Sequence, residues 1–196
     1  MKEKILRIHF NDVEPNVAEM AEILPEAGFR PLTDATPSTL PDGAVVVIYN
    51  NISNTLSPLF IIGRHLRNGF SYMLFNDLNN SPALEYLDDF RGKFYKVLFQ
   101  LPVVDSQPQL ESLPQAIQNA GFCPLNKATP EDLPEGAVAL LYADSKVLIP
   151  VIVRVLSTSN KKLLYLHQGI VVGDWHSNVI MDHLNPFDNY LYKVIS

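Results

Sequence analysis

The sequence predicts an α/β protein with a parallel sheet in each of two tandem copies, residues 1–97 and 98–196. The main observation is an internal repeat. Residues 27–49 align without gaps with residues 120–142, and 14 of the 23 positions are identical, where average residue usage would give about one or two. Two further observations are proline-started apolar segments with helical spacing and one strongly apolar run in each copy. Together they indicate a duplicated unit in which helices alternate with strands.

Each copy begins with a predicted strand, residues 5–10 and 98–104, followed by a helix. The helices are indicated by apolar residues at helical spacing. These residues are Val17, Met20 and Leu24 in copy one, and Leu110, Leu113 and Ile117 in copy two. Gly28 and Gly121 follow where a helix commonly ends in a left-handed residue. Pro25 and Pro114 lie inside the pattern, so each helix should be short or kinked.

A short strand and a turn come next. Residues 29–32 form a predicted strand that contains Pro31, and the repeat keeps Pro124. Proline cannot donate to a strand ladder, so this strand is expected at a sheet edge. Thr36-Pro37 and Thr129-Pro130 resemble a helix N-cap followed by proline, which predicts a single helical turn.

The remainder of each copy alternates strands and helices in this interpretation. The most apolar run, residues 44–49 or 137–142, suits a strand covered on both faces. The elements predicted after it are a helix (58–68, 150–158), a strand (72–75, 163–167), a helix (82–89, 178–184) and a strand (94–97, 191–195). The order β-α-β-β-α-β-α-β predicts a parallel sheet wrapped on both faces. With the proline strand outermost, it fits the flavodoxin-like strand order 2-1-3-4-5.

The junction between the copies is short. Residues 94–104 contain no turn signal except Pro102. The last strand of copy one should therefore run almost directly into copy two, which predicts an intramolecular pseudo-dimer. The repeat register shifts near the ends, at residues 95–97 and 192–194, so copy two carries a few extra residues between about 169 and 184.

The element order of each copy resembles the TIR family of flavodoxin-like domains. The features that carry the resemblance are the early helix ending in glycine, the short edge strand, the apolar strand 44–49 and the Ser57-Pro58 start of the next helix. Catalytic members of that family use a glutamate in this helix to cleave the nicotinamide–ribose bond of NAD. Residues 58–67 and 150–156 contain no acid. The resemblance therefore implies a reduced, non-catalytic relative.

Composition excludes several classes of protein. The chain carries a net charge of −6, divided evenly between the copies, and no basic stripe, so nucleic acid is not an expected partner. A single cysteine, Cys123, leaves neither an intrachain disulfide nor a cysteine-based metal site. The longest apolar runs, residues 44–49 and 147–153, are too short to span a membrane. We expect a cytoplasmic protein without a bound cofactor.

One group of candidate residues comes from the predicted carboxyl ends of the strands, where open α/β sheets bind ligands. These candidate ligand-binding residues are Asp12, Asn50, Asn76, Asp77, Asp105, Asp144, His167 and Gln168. They could line a polar crevice for a nucleotide or a sugar. The alternative is that Asn and Asp make turns and caps at such junctions. No glycine-rich phosphate loop accompanies them.

A second group lies in the segment particular to copy two, where interaction with a partner is the hypothesis. Its candidate residues are Asp174, Trp175, His176 and His183. An exposed tryptophan among polar groups is typical of interface hot spots. The alternative is that Trp175 covers the end of the core. His176 and His183 are seven residues apart, which is not the spacing of a helical zinc site, so no metal is predicted.

The sequence therefore favours a non-enzymatic binding protein that engages a protein partner or a second copy of itself. The alternative is an enzyme or sensor that binds a nucleotide or an N-glycoside at the carboxyl ends of the strands.

Overall fold

The computed structural model describes residues 4–12, 14–64, 69–78, 84–129, 131–143, 146–158, 161–168 and 189–196. The strands of copy one are β1 (Phe10–Asn11), β2 (Glu14–Pro15), β3 (Arg30–Pro31), β4 (Ala44–Asn50), β5 (Thr55–Arg64), β6 (Phe70–Leu74) and β7 (Glu85–Leu87), and β8 (Lys93–Gln100) runs from copy one into copy two. Copy two continues with β9 (Val103–Val104), β10 (Gln107–Pro108), β11 (Cys123–Pro124), β12 (Val138–Ala143), β13 (Val147–Thr158), β14 (Lys161–Gln168) and β15 (Tyr190–Val194). The α-helices in these ranges are α1 (Met20–Ile23) and α2 (Leu113–Asn119).

The sheets are antiparallel, so the predicted parallel, flavodoxin-like α/β class is wrong. The first sheet has the order β3-β8-β4-β5-β6-β7, the second has β11-β15-β12-β13-β14, and every pair within them is antiparallel. The element order on which the TIR resemblance rests is therefore not the observed one. The two sheets nevertheless share one strand order, apart from β7, as the sequence repeat requires.

The error originates at Pro58 and Pro150, which were predicted to begin helices. Both lie inside strands, β5 and β13, because β4 and β12 connect to these strands through tight turns. Parallel neighbours would need a crossover of a dozen or more residues. Pro58 lies one residue before Leu59, whose partner Leu74 forms the first residue pair between β5 and β6. Pro150 likewise lies one residue before Val151, whose partner Gln168 forms the first residue pair between β13 and β14. No ladder hydrogen bond is therefore lost, and the β-branched residues that follow favour the strand.

Of the other local predictions, the edge strands and the short helices are confirmed and the helix at 82–89 is wrong. The proline strands β3 and β11 do lie at sheet edges, as predicted. The first helices are short, and Gly28 and Gly121 adopt φ of +78° and +82°. The helix predicted at 82–89 is wrong, since β7 lies there, and its counterpart at 178–184 lies outside the described residues. No helix in the described ranges is long and apolar enough to cross a membrane.

One core is shared by the two copies. Val45, Val47 and Tyr49 of β4 pack in the same buried cluster as Val138 and Leu140 of β12. Helical residues of both copies complete this cluster: Met20, Leu24, Leu113 and Ile117. The opposite faces of β4 and β12 pack against separate clusters, each within its own copy. The central strands are thus buried on both faces, which accounts for their continuous apolar sequence.

The first segment of each copy pairs with the sheet of the other copy. The Leu101 N–H donates to the Gly43 carbonyl at 2.8 Å, and the Ile8 N–H donates to the Gly136 carbonyl at the same distance. Leu101 follows Ile8 by 93 positions, and Gly136 follows Gly43 by 93 positions, so the two contacts are equivalent in the repeat. Residues 98–101 thereby complete the first sheet, and residues 6–8 complete the second.

The line of strand that completes each sheet is one continuous stretch of chain in the first sheet and two separate stretches in the second. In the first sheet, β8 runs without a break into Leu101. In the second sheet, β15 ends at Val194, and the Leu6 N–H donates to the Ile195 carbonyl at 2.8 Å. Residues 6–8 therefore extend the line of β15, held by the antiparallel bridge of Arg7 to Ala137.

We expect alanine at Gly136 to disrupt this exchange. Gly136 has φ of +81°, and a Cβ there would lie 2.1 Å from the Ile8 carbonyl oxygen. Gly121 has a nearly equal φ of +82°, but no atom lies within 4 Å of its would-be Cβ. Gly121→Ala should therefore cost only the left-handed backbone penalty, about 1 kcal/mol, whereas Gly136→Ala should cost about 3 kcal/mol. Urea unfolding of the two variants compares them, and equal losses would refute the steric role of the exchanged segment.

Candidate functional site

Among the described residues, the carboxyl ends of the strands do not come together in the predicted crevice. In an antiparallel sheet, neighbouring strands end at opposite edges, so their carboxyl ends do not converge. Asp12 and Asp105 instead lie in the turns of two small hairpins, with φ of +59° and +50°. Aspartate tolerates this left-handed conformation better than most residues. Both residues therefore have a turn-forming role.

Three further candidates of copy one also have structural positions. The Asn50 side chain accepts a hydrogen bond from the Ile52 N–H at 3.0 Å in the turn after β4. The Asn76 side chain accepts from the Leu148 N–H at 2.9 Å and so satisfies a donor of β13 in the other copy. Asp77 is exposed on the short 3-10 helix Phe75–Asp77.

The remaining candidates receive no side-chain description. His167 and Gln168 lie in β14, where only the backbone is described. Asp144, Asp174, Trp175, His176 and His183 lie outside the described residues. The interaction hypothesis for the segment particular to copy two therefore stays a prediction.

A different site is formed where β8 and β15 come together. A pocket of about 420 Å³ is lined by three cationic side chains, Arg30 of β3, Lys96 of β8 and Lys193 of β15. Thr39 and Tyr95 also line it. We call it the twin-lysine pocket, because Lys96 and Lys193 occupy equivalent positions in the two repeats.

The two lysines are held in place by main-chain carbonyl groups. The Lys96 ammonium donates to the Ala27 carbonyl at 2.7 Å and to the main-chain oxygen of Ser196 at 2.6 Å. The Lys193 ammonium donates to the Ala120 carbonyl, the counterpart of Ala27. Both carbonyls lie at the end of the first helical segment, where a cation also interacts favourably with the helix dipole. The pocket thus gains two positioned charges, one from each copy.

Tyr95 adds a polar atom with no partner in the described part of the chain. Its side chain is only 2% exposed, and its hydroxyl is buried without a hydrogen bond there. A buried polar group that lacks a partner costs free energy, so such groups are uncommon in native proteins. Tyr95 is among the residues that line the pocket, but its side chain packs in the buried cluster of copy one, on the face of β8 opposite Lys96, so its hydroxyl is not reached from the pocket.

The equivalent positions of copy two carry different charges. Tyr192 replaces Tyr95, Cys123 replaces Arg30 and Asp132 replaces Thr39. Burial, followed by the nearby Asp132 and Cys123, raises the pKa of the Tyr192 hydroxyl. Copy two therefore places an acid near its tyrosine, where copy one places a hydroxyl and a guanidinium. Only the copy-one arrangement is suited to an anion.

The sequence contained a signal for this site. The repeated Tyr-Lys-Val at 95–97 and 192–194 indicates the register of the repeat and keeps one lysine in each copy. A lysine kept in both copies on a strand next to buried residues could have been singled out. The association of Lys96 with Lys193 could not, because it depends on how the two sheets meet.

Comparisons with protein-family models, with curated proteins and with solved structures gave no match. No group of three or more His, Cys, Asp or Glu side chains that could hold a metal occurs among the residues that the structure describes. The site is therefore interpreted from its own geometry.

We expect Tyr95→Phe to stabilise the ligand-free protein by about 1 kcal/mol, because it removes a buried hydroxyl that lacks a partner. Tyr192→Phe is the matched control, since Tyr192 is the equivalent residue and its hydroxyl is not among the buried groups without a partner. Urea unfolding without added ligand measures both effects. A loss of stability in Tyr95→Phe would show that the hydroxyl already has a favourable partner in the fold.

A second expectation concerns Asp132 and acid stability. The Thr129 N–H and hydroxyl donate to the Asp132 carboxylate at 2.9 and 2.8 Å, and these bonds hold its pKa below the usual value. A depressed pKa in the folded state stabilises the protein above about pH 4, and this contribution is lost as the pH falls through the folded pKa. Asp132→Thr, which copies Thr39, should therefore reduce the drop in Tm between pH 6 and pH 3. An unchanged pH profile would contradict this role.

Proposed function

We propose that the protein is a non-enzymatic binding protein that holds a small anionic ligand in the twin-lysine pocket. The single observation that carries the proposal is the charge of the pocket. Among the described residues, Arg30, Lys96 and Lys193 line it with Ser196 and without an Asp or Glu side chain, although acidic residues outnumber basic ones by 21 to 15 in the chain. Three of the fifteen basic residues thus lie at one small site.

The volume of the pocket supports a small ligand. About 420 Å³ lies within the range of 300 to 1,000 Å³ that is typical of small-molecule sites. No His, Cys, Asp or Glu lines the pocket among the described residues, and the ammonium groups of Lys96 and Lys193 donate to main-chain carbonyls. Binding without chemistry is the function that this set of side chains supports.

The sequence-based proposal of a protein partner is compatible with this one. It depends on residues 174–176 and 183, which lie outside the described ranges. The alternative site at the carboxyl ends of the strands is not proposed, because the strands are antiparallel. Any nucleotide-like ligand would have to present its anionic group to the twin-lysine pocket.

Thr39→Asp provides the sharpest test, because it places a negative charge in the pocket and keeps a side-chain oxygen that accepts from the Thr36 N–H, although it loses the 3.3 Å bond that the Thr39 hydroxyl donates to the Thr36 carbonyl. The Thr39 hydroxyl accepts a hydrogen bond from the Thr36 N–H at 2.9 Å, and in copy two Asp132 accepts the equivalent bond from Thr129. Binding of inorganic phosphate, sulfate, citrate and acetate is measured by isothermal titration calorimetry. We expect at least one anion to bind, and its affinity to fall at least tenfold in Thr39→Asp because like charges repel.

Gln107→Glu is the matched control, since it adds the same charge at an exposed residue of β10, outside the pocket. Its affinity should stay within twofold of the unmodified protein. Failure of all four anions to bind, or equal losses in the two variants, would refute the proposed function.

A further inference from the structure

We propose that residues 4–9, which we call the exchange arm, are exchanged between two molecules of this protein. In the resulting dimer, the arm of each molecule completes the second sheet of the other. The proposal is independent of the anion-binding function. It follows from the contacts of the arm, from the short hairpin that joins the arm to copy one and from the backbone conformation of that hairpin.

The exchange arm fits the second sheet as an added strand. The Ile8 N–H donates to the Gly136 carbonyl at 2.8 Å, and the Val138 N–H donates to the Leu6 carbonyl at 2.9 Å. Leu6 and Ile8 are each 1% exposed and belong to the buried cluster that the two copies share. Main-chain hydrogen bonds and alternating apolar side chains are the features by which an added strand is recognised. A second molecule carries the same arm and therefore fits the same position.

Contacts with copy one hold both ends of the arm. The Lys4 N–H donates to the Glu26 carbonyl at 3.0 Å, and the Lys4 ammonium donates to the Glu26 carboxylate at 3.1 Å. The His9 N–H donates to the Glu19 carboxylate. Both acceptors lie in the helical segment 17–27, outside the arm. An arm that comes from a second molecule meets the same acceptors, so exchange replaces each of these contacts with an identical one.

The arm is joined to the rest of copy one by a short hairpin. Strands β1 and β2 form two residue pairs, Phe10–Pro15 and Asn11–Glu14. When the hairpin opens, residues 10–15 become extended and span about 20 Å. The arm can then leave its own molecule and lie on the second sheet of another. The closed and exchanged forms differ in the contacts of the hairpin itself, and such an exchange is a low-cost route to a dimer.

The backbone of this hairpin favours opening. Asp12, in its loop, adopts φ of +59°, and this left-handed conformation costs free energy for residues other than glycine. An extended hinge releases that cost. Each dimer contains two opened hinges, so the effect on the dimerisation equilibrium counts twice. Short hinge loops under strain favour exchange of this kind.

The equivalent hairpin of copy two provides an internal control. Strands β9 and β10 also enclose a left-handed aspartate, Asp105, with φ of +50°. The segment before it, residues 98–101, continues the line of β8 without a break. Opening this hairpin frees no arm, because exchange there would require the shared core of the two copies to separate. We therefore expect only the first hairpin to control dimerisation.

The first experiment compares Asp12→Val with Asp12→Gly. Both variants lose the same carboxylate, but a β-branched residue disfavours the left-handed backbone and glycine accepts it. Sedimentation equilibrium of the full chain, at micromolar to millimolar concentration in native buffer, measures the dimerisation. We expect the association constant of Asp12→Val to be at least tenfold above that of Asp12→Gly. The matched pair, Asp105→Val and Asp105→Gly, should differ by less than twofold.

A disulfide trap identifies the segment that is exchanged. Arg7 of the arm lies opposite Ala137 in an antiparallel bridge, and residues paired in this way are close enough for a disulfide. The trap combines Arg7→Cys and Ala137→Cys with Cys123→Ser, which removes the native thiol. After oxidation, the dimer fraction should give disulfide-linked pairs of chains on a non-reducing denaturing gel. The monomer fraction should give single chains with an internal disulfide.

Three results would overturn the proposal. The first is a monomer at every concentration, both for the unmodified protein and for Asp12→Val. The second is a dimer whose oxidised trap gives only single chains, since the molecules would then associate through another surface. The third is an equal association constant for the two Asp12 variants, or an equally large difference between the two Asp105 variants, which would indicate exchange of whole copies.

Discussion

The exchange of first segments between the copies is the contact on which the rest of the structure depends. Two glycine carbonyls, those of Gly43 and Gly136, receive the first segment of the opposite copy at 2.8 Å. Each sheet is completed only when the other copy supplies its residues, so neither copy has a full set of ladder hydrogen bonds by itself. Because both inner faces then contribute to a single buried cluster, the apolar area that stabilises one copy is also the area that stabilises the other.

The twin-lysine pocket is a result of this exchange combined with divergence. Exchange brings the main-chain oxygen of Ser196 to the ammonium of Lys96, and it places Lys193 at the same pocket. Divergence then sets the charge, because Arg30 and Thr39 stand where copy two has Cys123 and Asp132. A pair of lysines inherited from the duplication thereby became part of one asymmetric site. The divergence between the copies therefore lies within the repeated core as well as in the segment where copy two has extra residues.

The sequence allowed the duplication, the proline edge strands and the short helices ending at Gly28 and Gly121 to be predicted, since these depend on local patterns. The helices predicted at residues 58–64 and 150–158 were wrong, because strands β5 and β13 lie there. A proline before an apolar run is the ordinary start of a helix, and only the register of the neighbouring strand shows that the proline costs no hydrogen bond. The predicted ligand site depended on the same error, because strand direction decides which ends of the strands lie together. The pocket itself depends on long-range contacts that no local pattern encodes.

The meeting of Leu6 with Ile195 also has a kinetic consequence. This hydrogen bond joins residues separated by almost the whole chain, whereas its counterpart in the first sheet lies within the continuous line of β8. Closing so long a loop carries a larger entropic cost than closing a short one, and proteins dominated by distant pairings fold slowly. The first sheet can acquire its last strand as soon as the chain passes Leu101. The second sheet is completed last, when the two distant segments are captured side by side.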